Sequence, residues 1–413
     1  MITFTKKYAA LCILLFILGC ILIPDRGFTY DIQCWQQWTE YIAENGLGNA
    51  YHSNTDYPPL IHYILLLLSK TPVNVENGLF SIQYLKLFTF VFHFITGLFI
   101  AWMIKREEKD LSNRTLVNIG LFYLLNIAIL YNTVAWGQVD AILTCFVFIS
   151  CFYAIKKRVT LSLVFMVLAI NFKIQAIIFI PVIGLLILPQ LISSRSVKNI
   201  ASWIFIPLCL QLLILLPFIM TGTLSNIWAV VSGSVGKWPV VSINAFNLWN
   251  LVLAGKDLRN LMDNQTFLTI SYKNWGLMLF FISSAVAMLP LAKNQIVSIL
   301  KNTGQQLPLE KILLTCSLIP LLFFFFNTQM HERYAYPALV FIVAYSIYFK
   351  KQLIGILGSC AIFLNQEAVF GFLNLSDYHL FIFNPLLISC LYLLTIALLY
   401  KELFRSSYPL FIK

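Results

Sequence analysis

Charge is what this sequence has least of. Only 11% of its 413 residues are Asp, Glu, Lys or Arg, against about 25% in a soluble globular domain. That shortage excludes an ordinary water-soluble fold. Acidic residues are the scarcer kind, 17 against 28 Lys plus Arg. The nine cysteines form no CxxC or Cys/His spacing, which removes the usual zinc and dithiol readings. All but Cys34 lie in apolar runs, where cysteine acts as a small hydrophobe. No low-complexity tract, internal repeat or domain-separating linker is visible, and the basic loops are too short to hold a nucleotide-binding domain. The net charge of +11 is not a nucleic-acid signature, because most of it sits in short loops between apolar runs.

Apolar length is what the sequence has in excess. Hydrophobic residues make up 60% of it, and its mean hydropathy is +0.82. A helix crosses a bilayer with about 20 apolar residues, in a range of about 17–25. Such runs fall near residues 8–24, 82–104, 115–132, 139–155, 159–172, 174–192, 199–220, 274–292, 311–328, 335–349, 352–367 and 379–400. The expected fold is all-α, a polytopic transmembrane helical bundle of about 12 spans. The first run follows Lys6 and Lys7 like a signal peptide, but no small-x-small cleavage site succeeds it. It reads as a retained first helix that also targets the chain to the membrane. Residues 58–69 are too few to cross.

Loop charge sets the orientation. With the N-terminus inside, the inner loops carry Lys6 and Lys7; Lys105, Arg106, Lys109 and Arg114; Lys156, Lys157 and Arg158; Arg195 and Lys198; Lys293, Lys301 and Lys311; Lys350 and Lys351; and Lys401, Arg405 and Lys413. This is the positive-inside pattern. Were residues 58–69 to cross, the clusters after residues 104 and 155 would both fall outside. A non-crossing interfacial helix is therefore expected there, with both termini cytoplasmic. The 413 residues read as one membrane domain with two large external loops, 25–81 and 221–273. In the first loop Ile32, Trp35, Trp38, Tyr41 and Ile42 recur at three- and four-residue steps, an amphipathic helix. Its Trp and Tyr suit the bilayer interface, so it is expected to lie on the bilayer.

Six polar or aromatic clusters fall on the outer side in this orientation, as a single site would require. Asp31 opens the amphipathic helix, either as an N-cap or as a general base kept ionised by the helix N-terminus. Asp56-Tyr57-Pro58-Pro59 reads as an ordinary helix start or as a rigid turn carrying a second carboxylate. Trp136-Gly137-Gln138-Val139-Asp140 is a tight Gly turn with a capping Asp, or a sugar-binding corner in which Trp136 stacks on a pyranose. Asn171-Phe172-Lys173-Ile174-Gln175 is a polar notch whose Lys173 either snorkels or is functional. Asn244-Ala245-Phe246-Asn247-Leu248-Trp249 and His331-Glu332-Arg333-Tyr334 complete the set. Arg333 suits phosphate through its planar fork, with a mutual Glu332–Arg333 ion pair as the alternative. Zinc is not expected, since no second His stands at ligand spacing.

In this order the motifs resemble the GT-C superfamily of membrane glycosyltransferases, which use polyprenyl- or dolichyl-phosphate sugars. Asp31 before Trp35-Gln36-Gln37-Trp38, then Asp56-Tyr57-Pro58-Pro59-Leu60, looks like the first loop of the dolichyl-phosphate-glucose glucosyltransferases. The Asn244–Trp249 and His331–Tyr334 runs look closer to prokaryotic mannosyltransferases related to the enzyme adding the second mannose of GPI anchors. The family's tandem acidic pair is not reproduced, because Asp25 and Asp31 are six apart.

The resemblance implies transfer of a hexose, mannose first, from a polyprenyl-phosphate donor to a hydroxyl of a glycan or glycolipid acceptor on the outer face, in a prokaryotic plasma membrane. Asp31 would be the base. Asp56 would be a positioning residue, a second carboxylate or a divalent-metal ligand. Arg333, His331 and Lys173 would bind the donor phosphate. Tyr57, Trp136, Gln138, Asp140, Gln175, Asn247, Trp249 and Glu332 would contact sugar or lipid. No cofactor is implied beyond that possible metal. A flippase or polymerase for a lipid-linked glycan is the rival, and the broken Asn171–Gln175 region is its best support.

Overall fold

The fold comes from a computed structural model that describes residues 6–71, 81–107, 113–234, 236–301 and 307–405. Lys109 and Lys413, used above for orientation, lie outside the described residues, as do 72–80 of the first expected external loop and 235 of the second. In chain order the helices are α1 Lys6–Leu22, α2 Thr29–Asn45, α3 Pro59–Leu68, α4 Ile82–Glu107, α5 Asn113–Leu124, α6 Ile127–Leu130, α7 Asp140–Ile155, α8 Val159–Phe172 and α9 Ile180–Ser193. They continue as α10 Val197–Met220, α11 Leu224–Gly233, α12 Leu248–Val252, α13 Tyr272–Leu300, α14 Leu309–Phe326, α15 Tyr336–Tyr348, α16 Gln352–Phe370 and α17 Pro385–Arg405. The expected all-helical class holds, with one addition: Thr266–Phe267 and Ile270–Ser271 pair as an antiparallel two-residue hairpin.

Seven helices among the described residues are long and apolar enough to cross a membrane. The protein is thus a multi-pass membrane protein. Other expected spans correspond to apolar helices of 10–17 residues, among them Ala10–Leu22, Asp140–Ile155, Val159–Phe172 and Tyr336–Tyr348. The expected span 115–132 is interrupted. α5 stops at Leu124, and Asn126 then caps a new turn by accepting from the backbone N–H of Ala128 (3.1 Å) and Ile129 (3.3 Å). His93 bonds the freed Leu124 carbonyl at 3.0 Å. Helix α3 has 10 residues, about 15 Å of rise, which is half a hydrocarbon core of about 30 Å.

The chain divides into two compact units: residues 1–147, 163–176 and 204–234, and residues 148–162, 177–203 and 235–413. In the first, the apolar stripe of α2 is consumed by protein packing rather than left for lipid. Trp35, Trp38 and Ile42 are buried in one cluster with Tyr51, Ile61, Leu65, Ile82, Val139, Phe172 and Phe218. Pro217 inside α10 cannot donate to the carbonyl of Leu213. The Tyr63 hydroxyl of α3 covers that gap, donating to the Ile214 (2.9 Å) and Leu213 (3.4 Å) carbonyls. Thr221 and Thr223 donate to the Gly48 carbonyl at 2.8 and 2.7 Å. The first-loop segment is therefore tied at Gly48 and Tyr63 to α10 and the turn after it. The second unit centres on α14 and α15, whose residues are buried on nearly every side.

Candidate active site

In the first unit four of the six motifs join into one hydrogen-bonded arrangement, and the turn Trp136–Asp140 is its hub. Residues 131–136 form a π-helical turn, a form that often marks functional sites. Gly137 then takes φ +89°, a left-handed conformation that glycine adopts without penalty. The reversal sends Trp136 and Gln138 toward α2. The Asp31 carboxylate accepts Trp136 Nε1–H at 2.8 Å and Gln138 Nε2–H at 2.5 Å, both through Oδ2. Asp31 lies in the first turn of α2 but does not cap it. The N-cap is Phe28, with no side-chain bond. An anion in that turn is still favoured by the helix dipole. Asp31 is half-buried.

Gln138 is the link to the second carboxylate motif. Its Oε1 accepts the Tyr57 hydroxyl at 3.2 Å, and the Tyr57 ring packs on Trp35 at 4.9 Å and Trp38 at 5.8 Å. Asp56 is exposed. The Tyr30 phenol senses both carboxylates. It is held above its ordinary 10.0, first by the Cys34 thiol, then by desolvation and the charges of Asp56 and Asp31. Tyr30, Asp31 and Asp56 thus lie near one another.

Behind the turn lies an ion pair. Lys173 Nζ reaches Asp140 Oδ1 at 2.5 Å, with side-chain exposures of 11% and 1%. Asn132 Nδ2–H donates to the other oxygen of Asp140 at 3.2 Å. Asn171 and Gln211 exchange amide bonds at 2.6 and 3.2 Å. Gln175 is buried on the 3-10 turn Ile174–Phe179.

These placements show what holds each side chain in the folded chain. The charge of Lys173 answers Asp140 in a buried setting where an unpaired carboxylate would be costly. Asp140 is occupied in return. Trp136 is fully buried, stacks on Phe28 at 4.8 Å and orients Asp31 through its Nε1–H.

Sequence reasoning missed Lys86. It is fully buried, and its ammonium donates to the carbonyls of Pro24 (3.2 Å), Arg26 (2.5 Å) and Ala135 (3.2 Å). It ties the segment before α2 to the turn that holds Asp31. Gly27 is required in that segment, since a Cβ there would stand 2.7 Å from the Trp136 carbonyl. The available signal was a lysine near the start of a span, at the end opposite its Lys105–Arg106 cluster.

The second unit joins the other two motifs. Ile243 and Asn244 make backbone bridges to His331. Asn247 caps α12 in a capping box with Asn250, and its Nδ2–H donates to the carbonyls of Phe324 (3.1 Å) and Asn327 (3.3 Å). Trp249 Nε1–H donates to the Phe326 carbonyl at 3.0 Å. Both side chains are buried and hold the end of α14. Asp263, also missed, accepts from Thr328 (2.9 Å) and Gln329 (2.6 Å) and fixes the approach to His331. The expected Glu332–Arg333 pair is present, Nη1 to Oε1 at 2.9 Å. His331 Nδ1 lies 3.9 Å from Glu332 Oε2. Tyr334 sits beside both the His331 ring (5.0 Å) and the Arg333 guanidinium (5.9 Å). His331 and Tyr334 are half-buried. Among the described residues no three His, Cys, Asp or Glu side chains converge as a metal site.

No known family model matches the chain. A stretch of 160 residues is 25% identical to GPI mannosyltransferase 1 of Candida albicans, covering 38% of this chain and 38% of that protein.

Proposed function

We propose that the protein is a membrane glycosyltransferase of the GT-C kind. It moves a hexose, mannose in the first instance, from a polyprenyl-phosphate donor to a hydroxyl of a glycan or glycolipid on the outer face of a prokaryotic plasma membrane. The observation that carries this reading is Asp31: a carboxylate at a helix N-terminus, held by two N–H donors yet half-exposed, with Tyr30 and Asp56 nearby. The likeness to a mannosyltransferase supports the sugar.

Asp31 takes the proton of the acceptor hydroxyl. The acceptor oxygen bonds to the anomeric carbon as the bond from that carbon to the phosphate oxygen breaks, and polyprenyl phosphate departs with the electron pair. The proton stays on Asp31 until it is lost to water. The leaving group gains negative charge, so it needs a cation rather than a proton. Arg333 supplies it, with Glu332 gripping Nη1 and setting the guanidinium plane. His331 adds a second donor. Tyr57 and Asp56 position the acceptor sugar. A single displacement inverts the anomeric centre. Retention would instead use two carboxylates about 5–5.5 Å apart.

The test is transfer by purified protein in lipid from polyprenyl-phosphate mannose, glucose and galactose to a membrane-glycan extract. Transfer names the donor, and Arg333→Ala is expected to raise the donor KM more than the acceptor KM. An effect on the acceptor alone would remove the phosphate assignment. The buried Lys173–Asp140 pair beside a broken helix favours a second reading, a flippase for a lipid-linked glycan. No transfer from any donor, with lipid-linked glycan crossing vesicle bilayers, would select it.

A further inference from the structure

A cavity in the second unit lies well away from the His331 motif. Ile312, near the start of α14, forms part of its wall, whereas His331 follows the end of that helix. An 18-residue helix is about 27 Å long. The cavity measures ≈ 60 Å³, and its lining is mixed: Lys157, Gln190 and Gln295 are polar, Leu186, Leu307 and Ile312 apolar.

Local chemistry explains the polar residues. Pro189 inside α9 cannot donate to the carbonyl of Leu185, and Gln295 Nε2–H does so from α13 at 2.7 Å. The next residue, Gln190, turns its amide oxygen into the interior with no hydrogen-bond partner. A buried acceptor left this way is costly, which calls for a donor from an occupant.

Lys157 stands at the mouth, exposed. It closes α7 with a Schellman pair, Lys157 N–H to the Ala154 carbonyl (3.0 Å) and Arg158 N–H to the Tyr153 carbonyl (2.9 Å). Its φ is +58°, at a position that glycine ordinarily fills. A lysine kept there gives up backbone ease for a side chain. Lys350 ends α15 in the same conformation, so the conformation alone assigns nothing; the cavity beside Lys157 distinguishes it. Lys156 and Arg158 flank it in sequence, and Lys311, with Glu310 on the same turn, begins α14.

We propose that this cavity binds the headgroup of an anionic phospholipid. Lys157 meets the phosphate, a headgroup hydroxyl donates to Gln190 Oε1, and the upper acyl chain lies along Leu186, Leu307 and Ile312. A mixed polar and apolar lining at the end of a membrane helix fits an amphiphile, and a soluble anion would leave the apolar residues bare.

The test uses the full-length protein, delipidated in detergent, and reads its Tm with phosphatidylglycerol, phosphatidylcholine or glycerol 3-phosphate. Phosphatidylglycerol is expected to raise Tm by several degrees, and the other two to leave it in place. Lys157→Gly relieves the left-handed backbone, so its lipid-free Tm is expected to hold or rise while the phosphatidylglycerol shift disappears. Gln190→Leu is expected to reduce the shift and keep the lipid-free Tm. Equal shifts in both variants and wild type would overturn the proposal. So would an equal response to glycerol 3-phosphate, which would mark a soluble-anion site.

Discussion

Replacing Asp31 by Asn separates chemistry from folding. Trp136 and Gln138 both bond the same oxygen of Asp31, at 2.8 and 2.5 Å. The carbonyl oxygen of the substituted amide can take that place, with its nitrogen directed to the open side. The two bonds then weaken from the charged range of about 1.5–3 kcal/mol to the neutral range of about 0.5–1.5 kcal/mol. Asp31 is half-exposed, so water screens part of this, and the stability cost is expected to be about 1 kcal/mol. A lost general base costs about 10²–10⁴-fold in rate, which at 1.36 kcal/mol per decade is about 3–5 kcal/mol of barrier. The variant should therefore stay folded, bind donor and turn over at about a hundredth of the wild-type rate or less. The assay is radiolabelled mannose transfer in lipid at saturating donor, with thermal unfolding measured on the same preparation. A folded Asp31→Asn variant working within tenfold of wild type would refute Asp31 as base.

Lys86→Met keeps the buried stem but strips the donor from three carbonyls. Each unsatisfied group costs about 1–3 kcal/mol, so a clear loss of thermal stability is expected; an unchanged Tm would show that the ammonium holds nothing. Lys173→Met alone leaves Asp140 a lone buried charge and is expected to cost about 3–5 kcal/mol. Adding Asp140→Asn should restore much of it, and additive losses in that double-mutant cycle would deny the coupling. In a Cys34→Ala background, Asp56→Cys is expected to react with an impermeant maleimide in intact cells, whereas the fully buried position of Gln138→Cys stays dark. Labelling at position 56 only after permeabilisation would reverse the proposed orientation.

The site was legible where a residue's chemistry is unusual for its place. A carboxylate opening an amphipathic helix, a lysine between two apolar runs and three ionisable residues at a span end each contradict a membrane sequence's average, and each proved to be engaged. Their partners were less legible. Gln138 is separated from Asp31 by 107 positions and Asn247 from Phe324 by 77, and no local period marks such pairings. Trp136 has two readings, an interfacial Trp in a tight turn or a ring stacked on a pyranose, and for Trp249 the resemblance implies a sugar or lipid contact; neither ring's surroundings are a local property. Whether either face is open depends on Phe28 and Tyr272, which only the folded chain brings against them.

The sequence by itself determined the all-helical membrane class, because apolar run length and period are local properties that the bilayer selects directly. It also determined the short helix α3, which Pro58, Pro59 and too few apolar residues dictate. Tertiary structure alone decided what each polar group does. Lys173 became the partner of Asp140, and Lys86 became the tie between two loops. A buried charge takes its role from whatever lies within about 4 Å of it, and that neighbourhood is set by packing between distant segments.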